Sequence, residues 1–96
     1  MEFNLEAAED KYAAIAAVAG IEDKTKNGAA LGLIKKVKRL SQDLSIPAFE
    51  ELNIPEHDFT GIAQKSFDNN SNRSNPREAT VADYLSILRR ARQAQL

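Results

Sequence analysis

At 96 residues and 10.6 kDa the chain has room for one domain, which excludes a two-domain enzyme. Hydrophobic residues make up 43% of it, but fifteen of them are alanine, so a core must be built from twenty-six larger apolar side chains. Thirteen basic and fourteen acidic residues leave a net charge of -1, which excludes a protein held to nucleic acid by its overall field, and the lack of cysteine excludes disulfides, thiolate metal sites and a thiol nucleophile.

Strand-like alternation is missing, and alanine, leucine, lysine, glutamate and glutamine recur throughout, so the sequence predicts an all-α chain. Asn4 is placed to cap a first helix whose opening turns carry Glu6, Glu9 and Asp10, and Gly20 ends it. Leu5, Tyr12, Ile15 and Val18 or Ala19 form its stripe, while Ala13, Ala14, Ala16 and Ala17 wrap the remaining circumference and permit close helix approach. After the polar stretch Glu22 to Asn27, a second helix starts from Thr25 or Asn27 in spite of Gly28 and Gly32. Its apolar stripe is Ala30, Leu33, Ile34, Val37, Leu40 and Leu44, with Lys35, Lys36, Lys38 and Arg39 mostly off it. Pro47 is placed like a first-turn proline of a short helical turn ending at Leu52. Asn53 follows in a left-handed conformation that folds Ile54 back on Phe49. Pro55 repeats the signal before a third long helix with the stripe Phe59, Ile62, Ala63, Ser66 and Phe67. The run from Asp68 to Pro76 has no apolar anchor and reads as an exposed or ligand-facing loop. Thr80 and Asp83 form a capping box for a last helix, with Val81, Tyr84, Leu85, Leu88 and Ala91 inward and Arg89, Arg90 and Arg92 near its end. The whole is expected to be a single helical domain, residues 1–96, in a compact bundle of about four main helices plus a short helical turn.

The candidates for chemistry are few. His57, the one histidine, lies between Glu56 and Asp58, and adjacent helical positions diverge, so it reads as a solvated surface residue. The pairs Glu22–Asp23 and Glu50–Glu51 are sequence neighbours that do not face one another across a substrate. No nucleophile elbow, dinucleotide-binding fingerprint or phosphate-loop motif is present. The basic groups of the second and last helices have no aromatic interleaved for base stacking and are offset by acids, so no nucleic-acid partner is expected. No apolar run approaches the roughly 20 residues of a membrane span, and the N-terminus lacks the features of a secretory signal. The expectation is a cytoplasmic chain without a membrane partner.

The ordered set EFN (Glu2–Asn4), KYAAIA (Lys11–Ala16) with Gly20–Ile21, Ile46–Pro47, EELNI (Glu50–Ile54) and NPREAT (Asn75–Thr80) before D-Y-L-x-I-L resembles the C-terminal helical domain of the iron-containing (group III) alcohol dehydrogenases. The likeness is to their lactaldehyde reductase and propanediol oxidoreductase branch and covers essentially the whole chain. The resemblance implies a parent enzyme that transfers hydride between a primary alcohol or aldehyde and NAD or NADP. An aspartate and three histidines there hold iron or zinc, and the metal polarises the substrate oxygen. It also implies that those ligands and the cofactor turn lie upstream of the part matched here. No catalytic, cofactor-binding or metal-binding residue therefore transfers to this chain, and no turnover, tight metal site or NAD binding is expected of it alone. Ser71 is the one site residue the resemblance suggests, since it matches a position where the close branch can carry a cysteine lining the substrate pocket. Two departures stand beside it: Arg73 and Ser74 replace a glycine pair, and Glu22 to Asn27 is shorter than in the lactaldehyde-reducing relatives. The expected partner is the remainder of a parent dehydrogenase, whose metal-bearing helices this chain packs, with self-association possible through exposed apolar helix faces. The alternative reading is a stand-alone helical interaction module derived from such a tail. An upstream reading frame encoding the cofactor turn and metal ligands would separate the two.

Overall fold

Thr25 starts the longest helix by accepting the Gly28 N–H on its hydroxyl at 2.9 Å, and the Asp23 carboxylate in turn accepts the Thr25 N–H at 3.0 Å. That local chemistry opens one of four helices in the computed structural model, which describes residues 1–93. They are α1 (Leu5–Val18), α2 (Lys26–Asp43), α3 (Phe59–Asp68) and α4 (Val81–Gln93), joined by three 3₁₀ turns at Phe49–Leu52, Glu56–Asp58 and Asn70–Ser74. No strand occurs among the described residues, so the fold is all-α as the composition predicts. Residues 94–96 of the expected domain lie outside the described residues. The chain divides into two compact units, Met1–Ile46 and Pro47–Leu96.

In the first unit α1 packs on α2 through small residues. Ala8 and Ala16 of α1 are buried, as are Ala29, Ala30, Leu33 and Ile34 of α2, with Tyr12, Ala13 and Ile21 closing around Ala16, Ala29 and Leu33. The α1 face therefore differs from the stripe expected for it. Ile15 is exposed and Val18 is 90% exposed, while alanines hold the seam. A side chain without a γ-carbon lets two helix backbones approach closely, and alanines occupy this seam while Ile15 and Val18 stay outside it. Asn4 holds the N-cap position expected of it, where its carbonyl accepts the Ala7 and Ala8 N–H groups, but its side chain makes no capping hydrogen bond. The stripe of α2 is buried only in its first half, and Val37, Leu40 and Leu44 continue it in the open. Gly28 answers to Asp23, because a Cβ there would collide with the capping carboxylate.

Both helices of this unit end in the same way. Gly20, at φ +80°, donates to the Ala17 carbonyl at 3.2 Å and Ile21 donates to Ala16 at 2.9 Å, the paired bonds of a Schellman motif. At the end of α2 the same bonds run from Ser45 to Gln42 and from Ile46 to Ser41, each at 3.0 Å, but the left-handed residue is Ser45, at φ 57°. A Cβ in this region carries strain that glycine avoids. Ser45→Gly is expected to raise the unfolding free energy by about 0.5–1 kcal/mol, and Gly20→Ala to lower it by about 1 kcal/mol. Urea unfolding of the two variants checks the opposite signs.

The second unit is built on α3 against α4, with the turn Phe49–Leu52 packed on α4. The Glu51 carboxylate reaches back to the Ala48 N–H at 3.2 Å, so the turn begins after Pro47 and not at it. Asn53 is left-handed at φ 54°, as its sequence context predicts. Helix α3 is preceded by the 3₁₀ turn at Glu56–Asp58 and runs for 10 residues, with Phe59 and Ala63 buried and Phe67 partly open. From α4, Val81, Tyr84, Leu85, Leu88 and Ala91 are all half-buried.

Candidate functional site

The loop from Asp68 to Pro76 is the segment the sequence marks as exposed or ligand-facing, and the buried amide of Asn72 anchors it. Asn69 accepts the Ser71 N–H on its side-chain oxygen at 2.8 Å, which starts the 3₁₀ turn, and the Asn72 N–H returns to the Asn69 carbonyl at 3.0 Å. This curl turns Ser71 to solvent and Asn72 inward. Asn72 is buried, donates its Nδ2 to the Ala79 carbonyl at 3.2 Å, and accepts the Tyr84 hydroxyl on Oδ1 at 2.7 Å. Asn75 donates its side-chain amide to the Arg77 carbonyl and ties the start of NPREAT to its middle. The polar run that lacks an apolar anchor thus has a polar one. The readable signal was Tyr84: a tyrosine on an inward stripe needs a partner for its hydroxyl, and an asparagine-rich loop precedes it.

The loop leads into the α4 cap. The Thr80 N–H donates to the Asp83 carboxylate at 2.9 Å and the Asp83 N–H donates to the Thr80 hydroxyl at 3.2 Å, the reciprocal box predicted for this pair. The Thr80 backbone bond first, then its hydroxyl and the Arg77 charge, hold the Asp83 carboxyl below the usual aspartate range. A folded-state pKa below the unfolded one stabilises the fold above the unfolded pKa, and the contribution disappears as pH falls through the lower, folded value. Exchange protection at the start of α4 is expected to weaken on acidification through and below the ordinary aspartate range. In Asp83→Asn it is expected to be weaker at neutral pH and flatter on the acid side, which amide exchange measured against pH resolves.

A separate depression of 240 Å³ lies between Phe49, Glu50, Asn53, Ile54, Pro55 and Arg92. Its size falls below the roughly 300–1,000 Å³ of small-molecule pockets. Its cation is already engaged: Arg92 lies 3.7 Å from a Glu56 oxygen and over the Phe59 ring at 5.8 Å, and Arg89 meets Glu56 at 3.4 Å. The arrangement reads as a packing crevice that closes the end of α4 over Phe59.

The remaining candidates resolve as surface. His57 is exposed, but its Nε2 lies 3.4 Å from Asp58 Oδ1, so these two neighbours do meet within the 3₁₀ turn, contrary to the divergence expected of an α-helix. No group of three or more histidine, aspartate or glutamate side chains able to hold a metal occurs among the described residues. The carboxylate pairs do local work, Asp23 at the start of α2 and Glu51 on the Ala48 N–H. Of the basic residues on α2, Lys38 pairs with Glu2, Arg39 with Asp43 at 3.2 Å, and Lys36 donates to the Ala19 carbonyl at 3.0 Å. No helix among the described residues is long and apolar enough to cross a membrane.

Comparison with known proteins gives one consistent result. Residues 1–92 match the family described as Fe-containing alcohol dehydrogenase, C-terminal. The chain is 32% identical over 92 residues to an NAD-dependent methanol dehydrogenase of Bacillus methanolicus, covering 93% of the chain and 24% of that protein. It is 29% identical over 94 residues to a lactaldehyde reductase of Escherichia coli K12, covering 95% of the chain and 25% of the relative. The chain thus spans about a quarter of the length of these relatives. No solved structure matches.

Proposed function

Because the chain belongs to the Fe-containing alcohol dehydrogenase family, to its C-terminal part, we propose that residues 1–96 act as one helical domain of a cytoplasmic, NAD(P)-dependent alcohol dehydrogenase or aldehyde reductase. In this reading the domain packs the metal-bearing helices of the parent, and the turn carrying Ser71 lines one side of the substrate cleft. The observation that carries the proposal is the match over residues 1–92 to a family part, in relatives about four times as long. The open apolar stripe of Val37, Leu40 and Leu44 supports a packing role, since such a stripe on a helix is suited to cover by other protein surface.

Among the described residues no group of three or more carboxylate or imidazole side chains comes together to enclose an ion. In the proposed reading the contribution of this chain is shape and packing, with hydride transfer and metal ligation belonging to the rest of the parent. Purified full-length protein, supplied with Fe(II) or Zn and either nicotinamide cofactor, is expected to reduce a small aldehyde such as propanal, and the 96-residue chain alone to reduce none. Inactive full-length protein under all four combinations would refute the enzyme reading, and turnover by the isolated chain would refute the division of labour.

A further inference from the structure

We infer that Asn72 and Tyr84 are a pair of positioning residues that hold the Ser71 turn in its substrate-facing shape, an inference that rests on the cleft reading given above. A run of nine residues from Asp68 to Pro76, mostly small and polar, pays conformational entropy to adopt one shape and has no buried hydrocarbon to offset it. The side-chain bonds from Asn69 to Ser71 and from Asn75 to Arg77 each join residues two apart and fix local curvature. Asn72 ties the turn to the start of α4 through Ala79 and Tyr84. The Ala79 carbonyl only accepts, so the amide nitrogen must face it, which directs Oδ1 to Tyr84. Tyr84 is a firm post, because its own N–H donates to the Thr80 carbonyl at 3.1 Å within the capped first turn of α4. Ser71 is the residue before Asn72 and is exposed, so displacement of the buried amide moves it directly.

Replacing Tyr84 by phenylalanine keeps the half-buried ring and removes the hydroxyl, leaving Oδ1 without its donor. In Tyr84→Phe, amide exchange in the 96-residue chain is expected to speed up about tenfold at Ser71, Asn72 and Asn75, with far-UV helicity unchanged. Asn72→Ser, too short to span both partners, is expected to do the same and serves if Tyr84→Phe does not fold. In the full-length dehydrogenase assayed with propanal, Tyr84→Phe is expected to raise KM at least fivefold with kcat within twofold, because substrate contact is lost while the chemistry, supplied elsewhere, is untouched. Ser71→Trp is expected to raise KM as well. Unchanged exchange in the turn would overturn the pairing. Faster exchange with a KM moved by Ser71→Trp but not by Tyr84→Phe would leave the cleft reading intact and overturn the positioning role. A KM moved by neither variant would overturn the cleft reading, and the positioning role with it.

Discussion

Phe59→Ala is expected to lower the unfolding free energy by about 3–5 kcal/mol, the usual cost of removing a fully buried aromatic ring. Phe59 is the largest fully buried side chain among the described residues, with 1% exposure. Its ring lies 6.0 Å from that of Phe49 at an interplanar angle of 51°, a tilted contact that adds to the burial, and the Arg92 guanidinium covers another side at 5.8 Å. Small domains have only about 5–15 kcal/mol of stability in total. The variant is therefore expected to be close to unfolded at 37 °C, with a lowered Tm and weakened protection across α3 and α4. Phe49→Ala, at a half-buried ring, is expected to cost less than half as much. Thermal melts of the two variants test the order, and equal losses would mean that the pair, and not Phe59, organises the unit.

The second large effect concerns the alanine seam. Ala16 is fully buried against Ala29 and Leu33. Ala16→Leu adds three carbons where two helices meet closely, and overpacking of this kind typically costs about 1–3 kcal/mol. Val18→Ala removes a larger side chain from the same helix, yet Val18 is 90% exposed. Its effect is expected to stay within about 0.5 kcal/mol, helped by the higher helix propensity of alanine. Urea unfolding distinguishes the seam from the stripe that size alone suggests, because a core built on Ile15 and Val18 would reverse the two results.

The features legible in the sequence were those set by short-range chemistry. Thr25, the left-handed Asn53 and the Thr80–Asp83 box each depend on residues within four positions of one another, and the α2 stripe announces itself by its three- and four-residue spacing. The family resemblance was legible for the same reason, being carried by short ordered segments. What escaped was settled by tertiary contact. Alanines around much of α1 leave the direction of its packing face open, since any of several faces can approach a neighbour, and the partner helix decides. Ser45 gives no warning that it is left-handed, because the Schellman geometry is imposed by the chain leaving α2. Asn72 is hidden among five polar neighbours of similar type, and only Tyr84, twelve positions away, singles it out. The candidate site was therefore legible as a loop but not as a loop with a fixed post.

The pairing of helices also governs how quickly the chain finds its shape. Within the described residues, α1 packs on α2 and α3 on α4, each on its nearest helical neighbour in the sequence. Closing such short loops costs little entropy, and proteins dominated by local contacts fold in microseconds to milliseconds. A temperature-jump measurement is expected to give relaxation in that range, and a phase lasting seconds would contradict it. Fast closure also shortens the time for which the apolar faces of α2 and α3 stand open during synthesis, which for a chain with Leu40 and Leu44 still uncovered at the end of folding limits the opportunity for aggregation.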